Sequence, residues 1–271
     1  MSLLENTVPA PRRVMTLFYM VDTSGSMAGK RIGEVNHAMQ EVIQSDLPEI
    51  SASNDDAEIK VAILKFSTDC EWITPESGPA DIENLYWNDL TAGGLTDLGH
   101  ACKELNRRLS RSEFLKSQTG AYAPVILLFS DGAPTDDWEG GLRELKQNNW
   151  FKHAIKIAIA VEDADEQVLA EFTGTSEAVI KVQDKNTLSK LIRKVSVRAS
   201  EFQSHSKQSG DNLSSAEEDS AKIAQDAVEE IQQEESKLEL EPDRTEADEV
   251  TGTDTAPTDA SADNDWDDSQ W

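Results

Sequence analysis

The 271-residue chain is poor in cysteine, histidine and positive charge: two Cys, four His, and 25 Lys+Arg against 52 Asp+Glu. Each shortage closes off a class of function. Two thiols, Cys70 and Cys102, are too few for a disulfide framework and sit inside apparent secondary structure, which suits a reducing compartment and an expected cytoplasmic location. A net charge of −27 argues against nucleic acid or an anionic membrane surface as the partner, because binding phosphate requires clustered Lys and Arg. No apolar run is long enough to span a bilayer, and Met1 to Arg13 contains no apolar stretch of the secretory kind. None of His37, His100, His153 or His205 stands in a nucleophile motif such as G-x-S-x-G.

The charge that is present is unevenly placed. From Gln203 onward there are 4 Lys+Arg and 21 Asp+Glu, a net of −17, which leaves −10 for everything before. This change divides the chain into a short lead (1–12), a domain (13–202) and an acidic tail (203–271) whose composition is that of disorder.

Within the domain, apolar runs of strand length alternate with amphipathic helical segments. Val14–Val21, Ile59–Phe66, Pro124–Phe129, Ile155–Val161 and Val179–Val182 read as strands, the first nearly continuously apolar and the third fully so, as strands buried on both faces are. Glu71–Thr74 reads as a short antiparallel strand and Leu85–Trp87 as one strand turn. Helices are expected over Arg31–Ile50 with Pro48 marking the end, from Thr96 or Asp97 to about Leu109, from Asp136 or Asp137 to about Asn149, over Asp165–Phe172, and over Thr187–Ala199. The alternation predicts an α/β fold: a doubly wound, mostly parallel sheet with helices on both faces. Ligands of such sheets bind beyond the carboxyl ends of the strands.

Two strands end abruptly in polar residues at that edge. The first runs into Asp22-Thr23-Ser24-Gly25-Ser26, where one carboxylate and two hydroxyls at i, i+2 and i+4 can turn towards a common point. The third runs into Ser130-Asp131-Gly132. Oxygen donors of this kind suit a hard divalent cation rather than zinc, Mg2+ foremost, with Mn2+ or Ca2+ as alternatives. The same residue types also cap helices and build turns. Gly25 to Arg31 imitates a phosphate loop, but only three residues separate its glycines and Arg31 stands where a Mg2+-binding hydroxyl belongs.

Asp22-Thr23-Ser24-Gly25-Ser26 resembles the D-x-S-x-S motif of von Willebrand factor A domains, whose fold is the doubly wound sandwich just described. In that family a threonine from a second loop and an aspartate from a third complete a metal-ion-dependent adhesion site. Gly93-Gly94-Leu95-Thr96-Asp97 supplies Thr96, with Leu95 where a glycine is common, and Ser130-Asp131-Gly132 supplies Asp131. The likeness extends over about residues 12–200. It implies a non-enzymatic module that holds a divalent cation through Asp22, Ser24, Ser26, Thr96 and Asp131, and through it grips an Asp or Glu of a protein partner. The stretch from Ser130 to Asp136 is most similar to the bacterial tellurite-resistance Y-type proteins, which implies a stress-response setting. Alternatives are a client-recognising subunit for an AAA+ ATPase and a Mg2+-dependent phosphoester hydrolase.

Three tryptophans are candidates for partner binding. Trp138 lies seven residues beyond Asp131, while Trp266 and Trp271 close the tail among acids. The tail also contains a possible helix at 216–240, with Ile223, Ala227 or Val228, and Ile231 on one face. About 69 flexible residues span roughly 40–50 Å, enough for a tail carboxylate to reach the metal site of its own domain.

Overall fold

The computed structural model describes residues 11–55, 57–131, 133–161, 164–182, 185–205 and 215–239. Its centre is β1 (Arg13–Asp22), buried along its length except at Arg13. Parallel to it on one side lies β2 (Ala57–Phe66), and on the other β5 (Val125–Ser130), followed by β6 (Ile155–Val161) and β7 (Val179–Val182). Antiparallel to β2 are β3 (Cys70–Trp72) and the two-residue β4 (Ala80–Asp81). The order β3-β2-β1-β5-β6-β7 is that of a mostly parallel open sheet.

Alternate residues of β1 feed two separate cores. Met15, Leu17, Tyr19 and Val21 face α1 (Lys30–Glu41), α2 (Leu47–Ser53), α7 (Lys185–His205) and α8 (Ala216–Glu239). Phe18 and Met20 face α3 (Leu98–Arg108), α4 (Trp138–Leu145), α5 (Asn149–Lys152) and α6 (Glu166–Thr173). Leu98, Ala101, Cys102 and Leu105 form the buried side of α3, as their spacing predicts.

Several elements depart from the sequence reading. Pro48 does not end the first helix. The chain widens into a π-turn over Val42–Asp46, the Leu47 N–H bonds back five residues to Val42, and Pro48 then sits near the start of α2, where its missing N–H costs nothing. Leu85–Trp87 is not a strand; pairing with β2 falls instead to Ala80–Asp81, followed by a 3₁₀ turn at Ile82–Asn84.

The helix expected at 216–240 forms over Ala216–Glu239, but against its own domain. Ile223, Ala224, Ala227 and Ile231 are buried in the same core as α7. Its acidic side meets bases on α7: Lys194 pairs with Glu230 at 3.1 Å and Glu234 at 2.5 Å, and Arg198 pairs with Glu230. At its start, Ser220 Oγ accepts the Lys156 N–H of β6 at 3.0 Å, satisfying a donor at a point where β7 does not pair. The folded unit therefore reaches beyond residue 202, to Glu239.

Helices α3 and α4 pack backbone to backbone. A Cβ on Gly141 would lie 2.3 Å from the Gly99 carbonyl, so this crossing tolerates no side chain. Closeness lets Asp136, just ahead of α4, cap α3: its two carboxylate oxygens accept the N–H groups of Gly99 at 3.0 Å and His100 at 2.9 Å. Neither Thr96 nor Asp97 serves as the side-chain cap. Asp136→Ala is expected to cost about 1–2 kcal/mol, read as a lower urea midpoint with unchanged slope; an unchanged midpoint would contradict this borrowed cap.

Candidate metal centre

In parallel neighbours that finish level, the residues after the last paired rungs come together. Val21 is in register with Phe129, which sets Asp22 beside Ser130. The Ser130 hydroxyl donates to Asp22 Oδ2 at 2.6 Å, and the Ser24 N–H donates to Asp22 Oδ1 at 2.8 Å. Asp131 follows Ser130 and comes close enough for its charge to act on Asp22. Asp22, Ser24, Thr96 and Asp131 are all buried, at 0, 1, 4 and 5 % exposure, while Ser26 lies open to solvent with its Oγ 3.0 Å from Ser24 Oγ.

The three loops are tied to one another through backbone. Gly25 N–H donates to the Gly94 carbonyl at 3.0 Å and Gly93 N–H to the Thr23 carbonyl at 2.8 Å, joining the first loop to the second. Thr135 N–H donates to the Thr96 carbonyl at 2.8 Å, and Thr96 N–H to Thr135 Oγ1 at 3.1 Å, joining the second to the third. Asp165 N–H donates to the Asp131 carbonyl at 2.8 Å.

Leu95 lies on the outer side of the second loop. Its side chain points outward, 55 % exposed, and its N–H donates to Thr68 Oγ1 at 3.0 Å. The residue that must be glycine is Gly94, with φ +85° and a would-be Cβ 2.7 Å from Thr68 Oγ1.

Burial pushes the Asp22 carboxyl above the ordinary carboxylate range. Hydrogen bonds from Ser130 and Ser24 pull the other way, and the negative charge of Asp131 adds to the push. Two carboxylates held together out of water favour a positive charge between them. The hydroxyls beside them, Ser24 and Ser26, and the buried Thr96 on the loop tied to theirs offer oxygen only, so the residues fit a hard divalent ion. No cluster of three or more His, Cys, Asp or Glu suited to a metal occurs among the described residues.

Four contributors have no role at this site when the sequence is read alone: Ser130, which holds Asp22; Thr135, which holds Thr96; Asp136, which fixes the third loop to α3; and Arg31. Arg31 Nη1 donates to the Ser26 carbonyl at 2.9 Å and stands 3.7 Å from Asp131 Oδ2. Its signal was legible: two bases and no acid in the first turn of α1, the opposite of what a helix start favours.

Trp138 is half-buried against the α3–α6 core and also lines an open groove of about 370 Å³ with Ala133, Pro134 and Val168. Trp266 and Trp271 lie outside the described residues.

Residues 17–133 match the family model of the von Willebrand factor type A domain. Among solved structures, the chain is similar to the ArnB paralog VWA2 from Sulfolobus acidocaldarius, at 20 % identity and TM-score 0.50 over 68 % of this chain and 46 % of that one. Proximal thread matrix protein 1 from the mussel byssus, in a form with a zinc-occupied MIDAS motif, aligns at 14 % identity and TM-score 0.51 over 69 % and 48 %. The pilus adhesin SpaC from Lactobacillus rhamnosus GG aligns at 12 % identity and TM-score 0.55 over 70 % and 30 %. The chain thus spans less than half the length of each, and at these identities the likeness is one of fold. No curated protein matches the sequence. Fold and matched span agree on a mostly parallel sheet with helices that is similar to the von Willebrand factor A type, the likeness to the family model covering residues 17–133.

Proposed function

We propose that this domain is a non-enzymatic binding module that grips a carboxylate of a protein partner through a divalent cation at Asp22, Ser24, Ser26, Thr96 and Asp131. The observation that carries this reading is the pair of buried carboxylates, Asp22 and Asp131, set among hydroxyls at the carboxyl edge of the sheet. The ion supplies positive charge and a coordination position for the partner's Asp or Glu. The residues supply the rest: Asp22 and Asp131 neutralise, Ser24 and Thr96 donate oxygen from buried positions, and Ser26 sits on the solvent side where a ligand arrives. Both Asp22 oxygens are engaged by Ser130 and Ser24, which fits a fixed ligand better than a general base.

Mg2+ is the proposed native ion on the hardness of the donors, and Zn2+ belongs in the same test because a structural neighbour holds it at its MIDAS motif. The Ser130–Asp136 stretch supports a cytoplasmic, stress-response setting of the tellurite-resistance kind.

Isothermal titration of Mg2+, Mn2+ and Zn2+ into metal-stripped protein tests the site. Saturable binding that disappears in the Asp22→Ala/Asp131→Ala variant is expected, together with partner capture abolished by chelator. If none of the ions binds and capture ignores chelator, the three loops serve only the fold. Turnover of phosphate esters abolished by Asp22→Ala would instead make the protein a hydrolase.

A further inference from the structure

Arg31 lies in the first turn of α1, immediately behind the ligand loop. Its guanidinium donates to the Ser26 carbonyl at 2.9 Å and reaches to 3.7 Å from Asp131 Oδ2, so one side chain spans the first and third loops of the site. It is 23 % exposed beside an Asp131 side chain that is 6 % exposed, a setting where charges act on one another more strongly than in bulk water. The Ser26 carbonyl is a neutral acceptor, so this anchor does not depend on the charge carried by Asp131. Sequence economy does not explain the residue either: a base at the start of a helix opposes the helix dipole, and neither Lys30 nor Arg31 is offset by an acid in that turn.

We infer that Arg31 is a tethered counter-charge that lowers the site's affinity for a divalent ion and so makes tight ion binding depend on an anionic partner group; this rests on the metal-binding reading above. A guanidinium held beside Asp131 repels a cation sharing that carboxylate. Once a partner's carboxylate arrives, the same guanidinium attracts it. The lone domain therefore holds its ion loosely, and ion and carboxylate reinforce each other through a charge that belongs to the protein.

The test is titration of Mn2+ alone into the metal-stripped full chain of wild type, Arg31→Gln and Arg31→Lys, with melting curves to show that all three fold. Arg31→Gln is expected to bind Mn2+ about tenfold or more tightly, and Arg31→Lys within about threefold of wild type. The sign separates this role from a structural one, because a strut joining two ligand loops would lose affinity when removed. Equal or weaker binding by Arg31→Gln than by a Mn2+-binding wild type overturns the role of Arg31 alone. Absence of Mn2+ binding in all three overturns the metal reading and the inference with it.

Discussion

A chain ending at His205 is expected to be about 5 kcal/mol less stable than one ending at Glu239, and to melt roughly 10–20 °C lower. The loss comes from Ile223, Ala224, Ala227 and Ile231, which α8 buries at 0–3 % exposure. Two buried isoleucines contribute about 2 kcal/mol each and two alanine methyls about 0.8 each, as upper values for a chain that is never fully extended when unfolded. Ion pairs between α7 and α8 add little beside this, being partly solvated. Urea unfolding of the two chains decides the matter: coincident curves would mean that α8 adds no stability. Ile223→Asp in the full chain should shift the midpoint in the same direction.

Mn2+ at a hundredfold over its Kd is expected to stabilise the metal-stripped protein by about 2.7 kcal/mol, raising the melting temperature by roughly 5–10 °C. Chelator should reverse the shift, and Asp131→Ala should show none. A shift surviving in Asp131→Ala would place the ion elsewhere. Without the ion, the buried Asp22 carboxylate is a burden to the fold. The folded-state pKa of Asp22 is raised, so the folded protein binds this proton more readily than the unfolded chain does; its contribution to stability falls as pH rises through that pKa and recovers as pH drops. Asp22→Asn should therefore melt higher than ion-free wild type at neutral pH while losing the response to Mn2+.

Most of this architecture was legible because apolar runs and helical periodicity are local signals. Val14–Val21, apolar but for Thr16, and Pro124–Phe129, apolar throughout, became the central β1 and its neighbour β5, and the level ends of those strands then brought Asp22 and Ser130 together. Illegible were features that depend on what lies across space. Asp136 reads as a cap for the helix that follows it, and only the glycine contact between α3 and α4 reveals that it caps another. Ala216–Glu239 carries so much acid that it reads as a solvated helix, until Lys194 and Arg198 on α7 face it. Pro48 reads as a terminator, and a single widened turn upstream accommodates it.

The backbone bonds that join Thr23 to Gly93, Gly25 to Gly94 and Thr96 to Thr135 have a kinetic consequence. A cradle already closed by main-chain hydrogen bonds has little ordering left to do when an ion arrives. The speed of capture is then governed by how fast the ion sheds its own water, a step at which Mg2+ is notably reluctant. Mn2+ should therefore load faster than Mg2+ into the same cradle, even where the two reach similar final occupancy.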